Sequence, residues 1–489
     1  MPTDLDIIKE QLSLLEGKML SEEKRKSRLL RQVHEDQYQS AKNLIHYLVL
    51  RNEDRRDLQE LLHVHGLSSL ASSESHVHHQ LQAIKQRLGF TYPKKEIAIC
   101  SYVFGQMKMK EKSKLLFGSK TVTQIPSIMV TFDSGFASDR ELIKSLLQNG
   151  MNVARINCAH DDETIWAEMI QNLKGACTET GLECKIYMDL AGPKIRTRLL
   201  GRGKRTGKAK IKEGQLIWFV DPGKEFNKRE VVISPSEPDI INHLNVGDRV
   251  FIDDGIICGT VEKIKKNKAG IRIIRIYSKK QRIKAEKGIN FPDTKLQIPS
   301  LTEFDKRCLP FICQHADLVG YSFVKTPADM VQLRSAIEGT AGKRPHIIIK
   351  IETLPSVENL PSLLLEGMKD AAFGVMIARG DLAVEIGFER MGEIQDEILW
   401  ICEAAHIPVI WATQVLENLH KSGMATRSEI TDAGHAAMAE CIAINKGKHT
   451  IEVMNSLKDI IQRASSHRIK KRFTFRPLKI ASRYFKYAD

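Results

Sequence analysis

Apolar positions along this chain follow two different periods, and the change falls near Ser127. Before it the spacing is helical. "LDIIKEQLSLLEGKML" sets Ile7, Ile8, Leu12, Leu14 and Leu15 on neighbouring turns, as an amphipathic helix requires. "AKNLIHYLVLRNEDRRDLQELLHVHG" continues the pattern and stops at Gly66, a helix-end signal. "SSESHVHHQLQAIKQRLG" predicts one more helix with serine cap candidates. Residues 1–93 therefore read as an N-terminal α-helical region, and 94–124 as a polar linker.

From Ser127 onward, short apolar runs alternate with amphipathic stretches. The runs are "SIMVTF", "NVARIN", "CKIYMDL", "DLVGYSFV", "HIIIKIE", "GVMIARGD", "PVIWATQ" and "ECIAIN". Helical stretches such as "DRELIKSLLQNG", "TIWAEMIQNLKGACTETG", "PADMVQLRSAIEG" and "MGEIQDEILWICEAAH" separate them. Strands in β-α alternation predict an α/β fold, a (β/α)₈ TIM barrel. A doubly wound open sheet is the structural alternative, and it would need fewer strands. Only the middle breaks the rhythm. "VISPSEPDIINHLNVGDRVFIDDGIICGTVEKI" and "AGIRIIRIYS" mix β-branched residues with Gly and Asp turns, which predicts a small all-β insertion over 198–288. The barrel segments are then 125–197 and 289–480, roughly 265 residues against about 250 for a typical barrel. Residues 481–489 remain as a C-terminal tail.

Composition narrows the class. The chain has 489 residues, 42% hydrophobic and 27% charged, which suits a large globular protein. No stretch reaches the roughly 18 apolar residues of a membrane span, and "MPTDLDIIKEQLSLLEGK" has no apolar signal core. A cytoplasmic location without a membrane partner is expected. Nine cysteines are scattered without a CxxC pair, and Cys177 with Cys184 or Cys308 with Cys313 lack metal-site spacing. They read as free thiols without zinc. His76, His78 and His79 have no cysteine or acidic ligand cluster beside them, so they read as surface helix residues. The net charge of +14 fits a solvated basic surface or an electropositive cleft for anionic small molecules. A nucleic-acid partner is disfavoured, because no RNA-binding signature accompanies the dispersed basic stretches.

Chemistry enters where apolar strands end in polar residues. The second run ends in Arg155 and Asn157, with His160 just beyond. The third ends in Asp189, followed by "GPKIRT" with Lys194 and Arg196. The fifth carries Lys350 and Glu352, the sixth Arg379 and Asp381, the seventh Thr413 and Gln414. In α/β barrels these C-terminal tips carry the active site. Glu352 and Asp381 are hard oxygen ligands of the kind that hold Mg²⁺ with substrate oxygens. Lys350 precedes Glu352 by two residues, so both side chains share one strand face. An ammonium beside a metal stabilises a transferring phosphoryl group, and Arg155 and Arg196 offer bidentate phosphate donors. "GVMIARGDLAVEI" reads as a strand that Asp381 terminates, with Gly380 letting the backbone approach a ligand.

Over roughly Ser127 to Asn445 the sequence resembles the pyruvate kinase family. The resemblance rests on "GMNVARINCAH", "MDLAGPKIRT", "VFIDDGIICGTV", "KGINFP", "KIE", "MIARGDLAVEIGFE", "PVIWATQVLENL" and "TRSEITDA", in this order. It implies a Mg²⁺-dependent phosphotransferase, with Mn²⁺ as an alternative ion, acting between phosphoenolpyruvate and ADP to give pyruvate and ATP in glycolysis. Lys350 would stabilise phosphoryl transfer, Glu352 and Asp381 would bind the metal, and Arg155 would contact phosphate. Gly380 and Asp381 would receive the substrate carboxylate on backbone amides. Thr413 would sit beside the enolate, and Asn157, His160 and Arg196 would line the nucleotide side. The β-rich insertion resembles that family's mobile lid domain, and the N-terminal helices resemble extensions of a divergent bacterial branch.

The departures are specific. "TFDSGFAS" replaces the family's Gly-Pro-Ala-Ser turn, which touches nucleotide. The monovalent-cation region keeps Asn157 and Asp189, but Ala159 and Leu190 stand where the family has hydroxyls, and Lys194 follows "GP" as in potassium-independent members. Potassium is therefore expected to be dispensable. "KGKHT" stands in place of a Ser-Gly-Glu-Thr run, and the family's regulatory domain does not follow. Two other readings compete: a Mg²⁺-dependent lyase or aldolase of pyruvate-enolate type, and a catalytically weakened regulatory homologue. A homo-oligomer is compatible with all three.

Overall fold

The computed structural model describes residues 3–120, 125–445 and 447–465, with the backbone of 468–469 and 472–473. The expected tail at 481–489 and the end of the expected barrel segment lie outside the described residues. Eight parallel strands close a barrel in sequential order. They are β1 (Ser127–Thr131), β2 (Met151–Asn157), β3 (Lys185–Asp189), β4 (Leu318–Tyr321), β5 (His346–Ile351), β6 (Gly374–Ala378), β7 (Val409–Ala412) and β8 (Cys441–Ile444). Closure pairs Ser127 of β1 with Cys441 of β8. Helices such as Arg140–Gln148, Glu163–Thr180, Pro327–Glu338 and Met391–Ala404 follow the strands. Their starts obey local chemistry. Asp139 accepts from the Leu142 amide and Asp162 from those of Thr164 and Ile165, occupying N–H groups that have no partner inside a first turn.

Between β3 and β4 the chain leaves the barrel for a seven-stranded mixed sheet. Its strands run from Thr197–Leu199 to Ile289–Asn290, and it buries its own apolar cluster around Ile217, Phe219, Val250 and Ile271. The long hairpin Ile257–Lys265/Lys268–Ile276 is its backbone.

The N-terminal region is helical: α1 (Asp4–Arg25), α2 (Tyr38–Arg51), α3 (Arg56–Val64) and α4 (Val77–Arg87). The continuous helix expected up to Gly66 is broken at Asn52–Arg55, where Asp54 accepts from the Arg56 amide and restarts the chain as α3. His76 and His78 are buried instead of lying on the surface. Burial is made possible by Glu16, which takes His78 Nε2 at 2.9 Å, Lys85 Nζ at 2.7 Å and Tyr92 Oη at 2.8 Å.

The stretch read as a polar linker contains α5 (Tyr102–Phe117), which is built into the barrel. Leu116 and Phe117 are fully buried and pack with Met129, Val153, Leu318, Ile348, Met376 and Ile410 inside the barrel. Gly374, the first residue of β6, leaves room for Leu116, which would stand 3.2 Å from a Cβ there. The end of α5 therefore closes the N-terminal mouth. Farther up the helix, the buried Lys112 ammonium donates to the His406 carbonyl at 2.8 Å and to Gln37. Burial pulls that ammonium down to about 7. Asn43 of α2 donates to the carbonyls of Glu74 and Ala404, which ties the N-terminal helices to the barrel helix Met391–Ala404.

Phe117→Ala should cost about 3–5 kcal/mol, the usual loss for a fully buried aromatic. Denaturant titration of the full chain measures it. A loss below about 1 kcal/mol would show that α5 does not seal the barrel.

Candidate active site

The strand tips converge on a buried carboxylate. Asp189 ends β3 with 1% of its surface exposed. Arg155 of β2 and Lys350 of β5 both reach its Oδ2, the latter at 3.4 Å, and Tyr187 Oη donates to Oδ1 at 3.1 Å. Burial works against this carboxylate, but Lys350 and Arg155 outweigh it and hold it below its ordinary range. The same Arg155 donates to Thr131 of β1 at 3.1 Å, so four strands meet at one charge cluster. The close approach needs Gly320 of β4: a Cβ there would lie 2.0 Å from Tyr187 Oη.

Lys350 and Glu352 share a strand face, as their spacing predicts, with Nζ 3.6 Å from Glu352 Oε2. Lys350 also donates to Ser322 Oγ at 2.7 Å, and the Phe323 amide donates to Glu352 Oε1 at 2.6 Å. Ser322 and Phe323 form the tip of β4, which the sequence reading passed over. Their signal was weak, because "GYSFV" carries no charge and Phe323 contributes only its backbone. Phe323 has φ 56°, a left-handed conformation that non-glycine residues seldom adopt.

The sixth strand ends earlier than expected. β6 stops at Ala378, and Arg379–Ile386 is a helix with Asp381 in its first turn. Asp381 is thus presented by a helix start, next to unpaired backbone N–H groups. Arg379 turns toward β7. It donates to the carbonyls of Ala412 at 2.9 Å and Thr413 at 2.5 Å, pairs with Asp432, and stacks 4.5 Å above the Trp411 ring. Thr413 and Gln414 have φ 68° and 55°. A β-branched residue there is strained, and Arg379 grips both carbonyls that define the turn. Gly380 lies beside Thr413, whose side-chain atoms would stand 3.8–3.9 Å from a Cβ at that glycine.

Lys194 reaches into the same site from the segment leading to the β insertion. Its Nζ lies 3.0 Å from both carboxylate oxygens of Asp381 and 3.6 Å from Asp254 of the insertion. Burial lowers this ammonium, yet Asp381 and Asp254 together push it above its ordinary value. The three residues expected around a monovalent cation therefore separate. Asn157 and Asp189 are register partners on β2 and β3, whereas Lys194 faces Asp381. The Asn157 side chain turns back to accept from the Ala159 amide at 3.1 Å.

Asn157, exposed His160 and Arg155 line a cavity of about 300 Å³ shared with Thr131, Glu417, His420, Lys421 and Asn445. Arg196, expected on the same side, is elsewhere: it pairs with Gly288 at the base of the insertion and donates to the Glu286 carbonyl at 3.1 Å.

Two observations bear on a metal. Asp381 Oδ1 is buried without a hydrogen bond of its own. Burial, together with neighbouring Asp381, pushes the Glu352 carboxyl up to about 7 even though Lys350 opposes the shift. Crowded carboxylates of this kind fit a divalent cation. Among the described residues no three His, Cys, Asp or Glu side chains come together as a metal cluster, so water and substrate oxygens would complete the shell, as is usual for Mg²⁺.

Comparison with known proteins agrees with this arrangement. The family model for the pyruvate kinase barrel domain matches residues 124–448. Pyruvate kinase 1 of Trypanosoma brucei brucei is 31% identical over 335 residues, covering 67% of this chain and 64% of the relative. Pyruvate kinase of Bacillus licheniformis is 31% identical over 332 residues, 66% of this chain and 54% of the relative. Human pyruvate kinase PKLR is 30% identical over 339 residues, 67% and 57%. The match thus spans less than two thirds of these relatives' own length. With its motifs in order, its strand tips gathered at one mouth and its barrel matched end to end, the chain belongs to the pyruvate kinase family.

Proposed function

We propose that the chain is a phosphotransferase acting between phosphoenolpyruvate and a nucleoside diphosphate, ADP in the first instance. The observation that carries this reading is Lys350, buried beside Glu352 and held by Ser322 and Asp189. A lyase or aldolase could use Glu352 and Asp381 alone. It has no use for an ammonium fixed where a phosphoryl group would pass.

In the proposed reaction the bond between phosphorus and the enol oxygen of phosphoenolpyruvate breaks. A new bond forms to a β-phosphate oxygen of the diphosphate, and the enolate takes a proton at its terminal carbon to become pyruvate. Mg²⁺ on Glu352 and Asp381 would draw negative charge from the enolate and phosphoryl oxygens. Lys350 stabilises the charge that spreads over the phosphoryl oxygens during transfer. Arg155 directs its guanidinium to the phosphate. The amides that open the helix Arg379–Ile386 receive the substrate carboxylate, since the first N–H groups of a helix favour an anion. Thr413, held in its strained turn by Arg379, lies on the side from which a proton reaches the enolate. The cavity beside Asn157 and His160 takes the nucleotide.

Potassium is dispensable in this reading. Asp189 already has two cationic partners, Asn157 caps its own turn, and Lys194 brings a compact positive charge to Asp381. The location is proposed as cytoplasmic. No helix among the described residues is long and apolar enough to cross a membrane.

Lys350→Met should lower turnover by about 10²–10³-fold while Mg²⁺ affinity, read by calorimetry, stays within a few-fold. Near-normal pyruvate formation in a coupled assay would remove Lys350 from the reaction. Glu352→Gln should instead weaken Mg²⁺ binding. Because the Glu352 carboxyl titrates at about 7, protons compete with the metal. Mg²⁺ affinity of the free protein should therefore fall as pH is lowered from about 8 to about 6. A flat profile would argue against this carboxylate as a ligand. Activity should persist with Mg²⁺ in tetramethylammonium buffer, and Lys194→Glu should lower it without full rescue by potassium. A wild-type chain that stays inactive until potassium is added contradicts the cation assignment.

A further inference from the structure

Lys194 stands between two carboxylates that belong to different parts of the molecule. Asp381 lies on the barrel, 3.0 Å from Nζ, and Asp254 on the β insertion, 3.6 Å away. The stem of the lysine passes over Gly288, where a Cβ would come within 2.6 Å of Lys194 Cε. The passage is therefore shaped for this side chain. Asp254 sits in an unusual turn: Asp253, Asp254 and Gly255 have φ 59°, 53° and 83°. Three consecutive left-handed residues are costly for all but Gly, Asn and Asp. The turn is pinned by the Asp253 amide on the Gly288 carbonyl at 2.9 Å and by Lys287 on Asp253 at 2.8 Å. It also meets the barrel. A Cβ at Gly255 would stand 3.2 Å from the Phe388 ring and 3.6 Å from Val384, and Val384 belongs to the helix that carries Asp381.

We propose that Lys194 is a positioning residue that couples the tip of the β insertion to the metal carboxylate. A divalent cation arriving at Asp381 repels the ammonium, which moves onto Asp254 and draws the Asp253–Gly255 turn down against Phe388. The physical basis is charge exclusion. Asp381 can serve a divalent ion or an ammonium as its close partner, and like charges at this distance in a partly buried site repel strongly. Only a small shift is needed, from 3.6 Å to hydrogen-bonding distance. Metal binding and lid position are then linked, and the linkage is reciprocal. The proposal rests on the reading of Glu352 and Asp381 as a Mg²⁺ site.

The test uses the full chain with Mg²⁺ and no substrate. Calorimetry reads metal affinity, and hydrogen exchange followed by mass spectrometry reads the peptide around Asp253–Gly255. In the wild type, Mg²⁺ should bind and slow exchange in that peptide several-fold. Asp254→Asn keeps a residue that tolerates the left-handed turn, so the fold is preserved. It should bind Mg²⁺ but lose the slowing. Lys194→Met should also lose it, and should bind Mg²⁺ on the order of tenfold more tightly, because the competing ammonium is gone. Slowing in Asp254→Asn equal to that of the wild type would overturn the coupling and leave the metal site standing. Failure of Mg²⁺ to bind the wild type would overturn the metal site, and the coupling with it.

Discussion

A carboxylate with almost no exposed surface sets the terms for this site. Asp189 lies at the end of a barrel strand, where water cannot solvate it, and an ionised group in such a place must be paired. Arg155, Lys350 and Tyr187 pair it. These partners come from neighbouring or facing strands, so their positions depend on barrel closure. The barrel in turn must leave space, and Gly320 leaves it. With Asp189 satisfied in this way, Lys350 is fixed beside Glu352, and the positive charge stays in the site without any bound ligand.

Backbone strain collects around the same mouth. Phe323, Thr413, Gln414, Asp253 and Asp254 all have positive φ, and each lies at a strand tip or at the turn facing the tips. Such conformations persist only where surrounding contacts over-determine them. Glu352 holds the Phe323 amide, Arg379 holds the carbonyls of Ala412 and Thr413, and Lys287 holds Asp253. Charged side chains thus do two jobs here: they face the cavity and they hold the backbone that shapes it.

The opposite end of the barrel is stabilised by different means. Phe117 and Leu116 fill it with apolar surface, while Lys112, His406, Asn43 and Ser75 join the N-terminal helices to the barrel by buried hydrogen bonds. Buried polar contacts of this sort fix one arrangement of two bodies because each unpaired group would carry a desolvation cost. The helices are part of the scaffold that keeps the strands in register.

The sequence by itself determined the barrel, the β insertion and most of the tips. Period-two and period-3.6 patterns are local properties, and Lys350 and Glu352 share a face through spacing alone. It misjudged α5, because a helix with lysines and methionines on several sides looks like a linker until the barrel mouth is there to receive it. It misjudged His76 and His78 for the same reason, since Glu16, about sixty residues away, is what makes their burial affordable. Ser322, the Phe323 amide and the grip of Arg379 on β7 were invisible, because backbone donors and long-range pairs leave no mark on composition. Only the tertiary structure decided that Lys194 faces Asp381 and Asp254 instead of Asn157 and Asp189. Sequence order places charges along a chain, but the partner of each charge is whichever opposite charge the fold brings within a few ångströms.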